Sequence, residues 1–261
     1  MARDMYEQLL VGELDIEGRL WDSSNSAMRV TCVSGGVTTM AVYKPQRGER
    51  PLWDFPTGTL GRREVATAAI DAALGWGLVP VTVWREEAPL GPGSLQAWVD
   101  VDTRSAPVDV IDSELAVPPW IVVAEGEGAR GDHVCLVHED TEALRRISLL
   151  DAIVNNADRK GGHVLRSTAG AVVGIDHGLT FHIEPKLRTV LWGWAGQQVD
   201  AAALKDLRRL RDAWVDVEGT LGSLLSHAEI DSAYTRLESL IEAGEFPSPD
   251  GAWPSLPWPA M

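Results

Sequence analysis

Residues 150–181 constrain the fold of this chain more than any other segment. The apolar run at the start of the segment stops at Asn155, and residues 155–162 are polar or glycine with one exception. Two short apolar runs follow, at 164–165 and 171–175, with turn-forming residues between them. This order predicts the end of a helix, a polar loop, and a hairpin of two antiparallel strands.

Two aspartates flank this predicted hairpin. Asp158 precedes its first strand, and Asp176 directly follows its second strand. Because a hairpin brings the outer ends of its strands side by side, we expect both carboxylates to face one cavity. Two carboxylates at one cavity favour a site for metal ions and a hydroxyl nucleophile over a position in the hydrophobic core.

The composition is that of a globular protein with an acidic surface. Apolar residues make up 45% of the chain and charged residues 23%, which are ordinary values for folded domains. The 261 residues suit one large domain or two small lobes. The formal net charge of −15 repels polyanions, so we expect no general binding to nucleic acid or to anionic membranes.

The two cysteines and the hydropathy pattern bear on the compartment. Cys32 and Cys135 each lie among apolar neighbours, which predicts buried free thiols instead of a disulfide. No apolar run approaches the ~18 residues that a membrane-spanning helix needs. We therefore expect a cytoplasmic protein without integral membrane contact.

The first part of the chain is predicted to contain several strands and one long helix. A short helix is expected over 3–10, and strands are expected over 12–21, 28–33, 37–44, 79–85 and 94–100. The longer helix is expected over 60–74, with Thr59 as its N-cap and Gly75 at its end. Residues 102–119 are rich in proline, aspartate and serine, which predicts a linker or the boundary between two lobes.

The remaining chain is predicted to be mainly helical. Strands are expected at 120–124 and 133–137, although the first could instead end a buried helix. Helices are expected over 141–154, capped by Asp140, over 201–214, and through residue 243 from a capping box of Ser226 and Glu229. The proline- and tryptophan-rich residues 246–261 could bind a partner in polyproline II form, but docking on the surface is favoured.

The central motifs carry a family resemblance. The sequences NNADRKGGHVL and GIDHG resemble the catalytic and metal loops of the phosphatidylinositol 3/4-kinase-like branch of the kinase superfamily. That branch is similar in this respect to HipA-type and Golgi secretory kinases, and a group of small actinobacterial proteins is the nearest likeness. The resemblance implies an α+β, protein-kinase-like two-lobed fold, with an N-lobe at 1–101, a C-lobe at 102–245 and a tail at 246–261.

The resemblance also implies roles for five residues. Lys44 would pair with the phosphates of ATP and be held by Glu64. Asp158 would accept the proton of the acceptor hydroxyl, and Asp176 would bind Mg²⁺ or Mn²⁺. His163 stands where most kinases carry a second metal ligand, asparagine. An imidazole prefers softer metals than Mg²⁺, so either His163 binds an ion such as Mn²⁺ or only one metal is held tightly.

Further residues are implied for the nucleotide and the acceptor. Ser24 and Ser26 would cover the phosphates, unless their loop is a plain turn. Trp98 and Val99 lie within the expected strand and hinge at 96–101, where backbone groups would bind adenine; Trp98 could stack on the base, but a place in the core is favoured for it. The basic residues nearest an anionic substrate are Lys186 and Arg188, unless they belong to a solvated loop.

The resemblance implies transfer of the γ-phosphate of ATP to a hydroxyl of a protein or small polyol. The acidity of the chain and its lack of a membrane anchor disfavour a lipid acceptor. The departure at His163 and the missing glycine-rich loop leave a nucleotide-binding pseudokinase or scaffold as an alternative. A transferase that moves AMP on the same fold is a third hypothesis.

Overall fold

The computed structural model describes residues 2–20, 26–50, 52–55, 59–249, 251 and 253–261. Helix α1 (Ala2–Val11) precedes a five-stranded antiparallel sheet with strand order β1-β2-β3-β5-β4. The strands are β1 (Glu13–Arg19), β2 (Met28–Ser34), β3 (Val37–Pro45), β4 (Thr82–Arg85) and β5 (Gly93–Ala97). All five predicted strands therefore form, with shorter bounds for the first and the last two.

The turn between β2 and β3 follows from two glycines. Gly35 and Gly36 have φ angles of 58° and 79°, which only glycine adopts without strain. Two consecutive residues with positive φ give the tight hairpin turn whose twist matches that of the strands. The turn fixes the register of β2 and β3, in which Ser34 pairs with Val37. On the other side of β3, Lys44 pairs with Ser94 of β5.

Helix α2 (Leu60–Leu74) has the predicted bounds, but its predicted N-cap is wrong. Thr59 has a left-handed backbone (φ 67°) and makes no side-chain capping hydrogen bond, because capping requires an extended backbone. Instead, the Glu49 carboxylate accepts a hydrogen bond of 2.9 Å from the amide of Gly61, in the first turn of the helix.

A three-stranded sheet follows, with strand order β6-β8-β7. It contains β6 (Val108–Asp112), β7 (Trp120–Glu127) and β8 (His133–Glu139). Residues 102–119 are therefore not an irregular linker throughout, because β6 lies within them; the lobe boundary stays a prediction. As an edge strand, β6 is exposed at both of its aspartates, and edge positions tolerate charges that a central strand excludes.

Helix α3 (Glu142–Val154) begins one residue later than predicted. Its N-cap is Thr141, whose hydroxyl accepts from the amide of Leu144. The predicted cap, Asp140, instead accepts hydrogen bonds from Arg145 and from the indole of Trp194. Because Asp140 is bound to these two side chains, Thr141 and not Asp140 caps the helix.

The hairpin expected within 150–181 is present as β9 (Val164–Arg166) and β10 (Val172–Gly174). Three helices close the fold: α4 (Ala201–Asp212), α5 (Trp214–Leu221) and α6 (His227–Ala243). The predicted helix over 201–214 therefore stops at Asp212, and α5 was not predicted. The capping box of Ser226 and Glu229 is confirmed.

The buried hydrophobic residues form two main cores. One lies under the five-stranded sheet and includes Val30, Tyr43 and Leu95. The larger core joins helices α3 to α6 and also takes in Ala66 and Ile70 of α2. Helix α2 is therefore packed with the helical part of the molecule.

The C-terminal residues dock on this helical part, as expected. The carbonyl oxygen of Ser255 accepts from the Thr189 amide and the Trp192 indole. The carbonyl oxygen of Ala260 accepts from the amide of Gly161 at 2.8 Å. Both cysteines are free and buried, as predicted. Among the described residues, no helix is long and apolar enough to cross a membrane.

Candidate functional site

The candidate site is centred on the ammonium group of Lys44. Its Nζ lies 2.5 Å from Oε1 of Glu64 on α2 and 2.8 Å from Oδ1 of Asp176 after β10. Ser94 donates a hydrogen bond of 3.3 Å to the other oxygen of Glu64. One lysine therefore connects the sheet, helix α2 and the loop that follows the hairpin.

Lys44 and Asp176 each stabilise the charged form of the other. Burial alone would lower the pKa of Lys44, but the carboxylates of Asp176 and Glu64 outweigh burial and raise it. The Lys44 ammonium holds the pKa of Asp176 well below its ordinary value. Burial raises the pKa of Glu64, and Lys44 offsets only part of that rise. The lysine is thus a firmly held cation, and Asp176 is a carboxylate at neutral pH.

Asp158 and Asp176 face one cavity, as the hairpin predicts. The cavity has a volume of about 230 Å³ and is lined by residues from the sheet, helix α2 and both loops. Its polar lining residues include Ser26, Lys44, Glu49, Arg50, Glu64, Asp158 and Asp176. Asp176 has a left-handed backbone with φ of 57°, an uncommon conformation that a non-glycine residue adopts where its surroundings enforce it.

Arg159 is the structural support of this loop. Its guanidinium is fully buried and forms a bidentate pair of two 2.9 Å hydrogen bonds with Asp151 on α3. It also donates to the carbonyl oxygens of His163 and Ile175. The loop before the hairpin and the residue that directly follows β10 are thereby fixed to one helix. Arg159 stabilises the loop and does not reach the cavity.

Asp158 is oriented by its neighbours. Its amide donates a 3.0 Å hydrogen bond to the side-chain oxygen of Asn156, and the side-chain nitrogen of Asn156 donates to Asp151. Its Oδ2 lies 3.3 Å from the ammonium of Lys160. Burial raises the pKa of Asp158, and Lys160 offsets only part of the rise. A carboxylate with raised pKa is a better proton acceptor than an ordinary one.

His163 faces Asp176 across the hairpin. Its Nδ1 lies 3.0 Å from the carbonyl oxygen of Asp158, so Nδ1 carries the hydrogen. Its Nε2 lies 3.3 Å from Oδ2 of Asp176, and burial lowers the pKa of the imidazole. A neutral ring therefore directs its lone pair at a carboxylate, and this contact is repulsive unless a cation lies between them.

These two side chains fit a metal ion. Metal-binding histidines usually donate their second ring N–H to a carbonyl or carboxylate, as His163 does. Within the described part of the chain, no three His, Cys, Asp or Glu side chains cluster closely enough to hold a metal by themselves. Ions such as Mg²⁺ are held in nucleotide sites by one or two carboxylates together with phosphate oxygens and water, so a pair is sufficient.

The remaining predicted nucleotide-site residues differ in position. Ser26 lines the cavity, whereas Ser24 lies outside the described residues. Trp98 contacts the guanidinium of Arg29 at 5.2 Å from its ring centre, and neither Trp98 nor Val99 is among the residues that line the cavity. Their role in adenine binding stays a prediction.

The two basic residues after the hairpin, Lys186 and Arg188, do not extend freely into solvent. Lys186 is 3% exposed, its ammonium lies about 5 Å from the ring centres of Trp53 and Trp253, and it lies 3.4 Å from Asp54. Arg188 donates to the carbonyl oxygen of Ala157. Burial and existing partners leave Lys186 unsuited to bind an anionic substrate.

Sequence reasoning missed three polar residues at or beside the cavity. Glu49 and Arg50 lie on an irregular loop, where no periodic pattern marks them. The third, Arg63 of α2, is a charged residue but is 3% exposed. It lies seven residues before Ile70 on α2, so helical periodicity already assigned it to the buried face.

Comparison with solved structures supports the fold. The crystal structure of the Golgi casein kinase matches with a TM-score of 0.57 and 13% identity, over 93% of this chain and 75% of that one. The Helicobacter pylori proinflammatory kinase CtkA matches at 10% identity, over 91% of this chain and 94% of that one. Its TM-score of 0.45 is too low to support a conclusion. The first likeness shows an atypical, kinase-like α+β fold, with an antiparallel N-terminal sheet and a helical C-terminal region.

Comparison of sequences shows the family. No family model matches the chain. The protein Rv2133c of Mycobacterium tuberculosis is 41% identical, and the alignment covers 99% of this chain and 96% of the mycobacterial protein. Identity at this level over nearly the whole of both chains shows that this chain belongs to the same family as Rv2133c.

Proposed function

We propose that the protein is an ATP- and divalent-metal-dependent phosphotransferase that moves the γ-phosphate to a hydroxyl of a protein or small polyol. One observation carries the proposal: Lys44, paired with Glu64 and Asp176, lines the same cavity as Asp158. Phosphoryl transfer requires charge neutralisation and positioning more than covalent chemistry. This cavity offers a fixed cation, a carboxylate for a metal ion, and a second carboxylate for the acceptor.

Each side chain has a separate task in this reaction. The Lys44 ammonium binds phosphate oxygens of the nucleotide, and Glu64 keeps that ammonium directed into the cavity. Asp158 orients the acceptor hydroxyl and takes its proton as the new oxygen–phosphorus bond forms, while the bond from the γ-phosphorus to the bridging oxygen of the β-phosphate breaks and ADP leaves. Asp176 and His163 would hold the metal ion, which when bound neutralises charge on the phosphates.

Several finer assignments belong to the same proposal. The motifs support membership in the phosphatidylinositol 3/4-kinase-like branch, and the hydropathy pattern supports a cytoplasmic location. The separate core under the five-stranded sheet supports an N-lobe at 1–101, a C-lobe at 102–245 and a tail at 246–261. The packing of α2 in the helical core adds that this helix is shared between the lobes.

Transfer of label from ATP tests the proposal. The protein is incubated with γ-labelled ATP, Mg²⁺ or Mn²⁺, and dephosphorylated protein or inositol as acceptor. We expect Asp158→Asn and Asp176→Asn each to lower the rate at least about 100-fold. Asp216→Asn, at an exposed position on α5, is the matched control and retains the wild-type rate. Equal label with wild type and both site variants would overturn the proposal.

The contact between His163 and Asp176 supports a second candidate, a nucleotide-binding pseudokinase or scaffold. An imidazole at this position suits Mg²⁺ poorly. This candidate predicts that ATP raises the melting temperature while neither α- nor γ-label is transferred. Transfer of α-label alone would instead support an AMP transferase.

A further inference from the structure

Arg63 connects three parts of the molecule from the position next to Glu64. It is 3% exposed on helix α2. Its Nη1 donates a 2.5 Å hydrogen bond to the carbonyl oxygen of Thr180, and its Nη2 forms an ion pair with Glu229 of α6. Its guanidinium also lies 5.0 Å from the ring centre of Phe55. Because the guanidinium is planar and binds two separate partners, it fixes both the distance between α2 and these partners and the rotation of α2 relative to them.

Both partners of Arg63 are themselves fixed. Glu229 uses its Oε2 to accept from the amide and hydroxyl of Ser226 in the capping box, which leaves Oε1 for Arg63. Thr180 donates its hydroxyl to the carbonyl oxygen of His177 at 2.8 Å. The loop that carries Asp176 is therefore attached to α2, and α2 is attached to the start of α6.

The loop after Asp176 is held in an uncommon backbone conformation. Asp176 and Phe181 have φ angles of 57° and 59°. Between them, Gly178 lies so close to α2 that a Cβ there would be 3.3 Å from that of Leu60. Left-handed conformations at non-glycine residues persist only where contacts on both sides enforce them. The bond from Arg63 to Thr180 is one such contact.

The orientation of Glu64 is set from the helical side of the molecule. Residues of α2 such as Ala66 and Ile70 pack in the core of the C-terminal helices, whereas Lys44 extends from the sheet with its separate core. The ion pair of Lys44 with Glu64 and Asp176 therefore forms only if α2 and the 176–181 loop keep one relative position.

We propose that Arg63 is a positioning residue, which fixes Glu64 and Asp176 relative to each other so that both bind the Lys44 ammonium. The expected effect on catalysis rests on the proposed function. The positioning of Glu64 and Asp176 can be tested whether or not the protein transfers phosphate. Arg63 acts through Glu64 and the 176–181 loop and does not line the cavity.

The test measures the reactivity of Lys44 in the full-length protein. Acylation by a water-soluble active ester, followed by mass spectrometry, reports how readily the amine of each lysine leaves its partners to react. Without Arg63, Glu64 and Asp176 no longer converge on Lys44, so its amine leaves the two ion pairs more often, and we expect Arg63→Gln to speed its labelling at least about threefold. Loss of a nearby positive charge by itself would favour the charged amine and slow the labelling, so the direction separates positioning from a direct charge effect.

Two further variants keep the test decisive. Glu229→Gln retains an oxygen for the capping box but loses the charge that binds Arg63, and it should give the same direction if Arg63→Gln fails to fold. Arg62→Gln is the control, since Arg62 bonds to Ser223 and lies over Trp84. We expect it to leave the labelling of Lys44 unchanged.

Activity is measured in parallel. We expect Arg63→Gln to lower kcat about 10- to 100-fold with KM for ATP changed much less, at a temperature where the variant is fully folded. Labelling of Lys44 at the wild-type rate in both Arg63→Gln and Glu229→Gln, or equal acceleration by Arg62→Gln, would overturn the inference. A wild-type protein that transfers no phosphate would overturn the proposed function alone, since the labelling result still decides the role of Arg63.

Discussion

At the residue scale, the decisive feature is a lysine between two carboxylates in a mostly buried setting. Glu64 is 2% exposed and has Lys44 as its cationic partner. Removing one member of a buried ion pair leaves an unpaired charge, which costs far more than removing the pair. The pair therefore fixes the positions of both side chains at the site, and replacing one residue also changes the free energy of the other.

Stability measurements can test this coupling. We expect Lys44→Met to lower the free energy of unfolding by about 3 kcal/mol, because Glu64 then remains buried without a cation. The double variant Lys44→Met/Glu64→Met should lose less than the single variant. Urea unfolding followed by circular dichroism gives both values. The exposed pair of Arg3 and Glu7 is the control, and Arg3→Met should have no measurable effect. A larger loss in the double variant would contradict the coupling.

A second prediction at this scale concerns His163 and the choice of metal. The neutral imidazole presents Nε2 beside the carboxylate of Asp176. Nitrogen ligands favour Mn²⁺ over Mg²⁺. With a non-hydrolysable ATP analogue present, we expect His163→Ala to weaken Mn²⁺ binding at least about tenfold and Mg²⁺ binding less. Electron paramagnetic resonance of free Mn²⁺ measures the affinity, and competition gives the value for Mg²⁺.

The exposed histidine His133 on β8 provides the control for that experiment. His133→Ala should bind both ions as wild type does. Equal weakening of Mn²⁺ and Mg²⁺ by His163→Ala would argue against a direct metal–nitrogen bond, and so would unchanged binding of both.

At the element scale, the hairpin β9–β10 and the loop before it form one unit with α3 and the C-terminal residues. Arg159 fixes the loop to α3 from the inside. The C-terminal residues hold it from the outside through the bond between Gly161 and Ala260. Ser255 binds Thr189 and Trp192 of the neighbouring segment, which pairs with the loop at Arg159. A loop with few apolar contacts of its own depends on such attachments.

Deletion of residues 253–261 tests the outer attachment. We expect the amide of Gly161 to exchange hydrogen at least about tenfold faster, because its acceptor on Ala260 is lost. Hydrogen exchange with mass spectrometry of peptides covering 155–165 measures the effect. Trp258→Ala is the control, since its side chain is 91% exposed and makes no contribution to the attachment. Exchange at the wild-type rate in the truncated chain would show that α3 alone holds the loop.

At the scale of the whole molecule, stability depends on pH through buried histidines. His138 is fully buried against Trp194. Its Nδ1 donates to the carbonyl oxygen of Glu139, and its Nε2 accepts from the amide of Gly193. Burial lowers the pKa of His138, although the Asp140 carboxylate opposes part of the effect and Arg145 adds to it. The folded protein therefore keeps this imidazole neutral where the unfolded chain binds a proton.

The free energy of unfolding therefore falls as the pH falls. Unfolded histidine titrates near pH 6.5, so the stability associated with neutral His138 is present above that pH and is lost as pH falls below it. One group contributes a slope of at most about 1.4 kcal/mol per pH unit. We expect His138→Gln, which retains a donor and an acceptor, to lose less stability than wild type between pH 7 and pH 5. Parallel urea denaturation curves at both pH values measure the difference, and equal losses would contradict it.

The sequence by itself determined the parts of this protein that depend on local pattern. Short apolar runs rich in β-branched residues predicted the strands of the five-stranded sheet, and a longer run with an apolar face predicted α2. The polar loop between apolar runs predicted the hairpin, and with it the meeting of Asp158 and Asp176. These features were predictable because the interactions that create them lie close together along the chain.

The tertiary structure decided what depends on contacts between distant segments. It overrode both expected helix caps. Thr59 has a left-handed backbone that does not suit a cap, and Asp140 binds Arg145 and Trp194 instead of the helix amides. The tertiary structure also buried Arg63 and Lys186, whose partners lie far away in sequence. Buried charges are tolerated only where opposite charges or aromatic rings converge on them, and that convergence is a property of the fold and not of any local pattern.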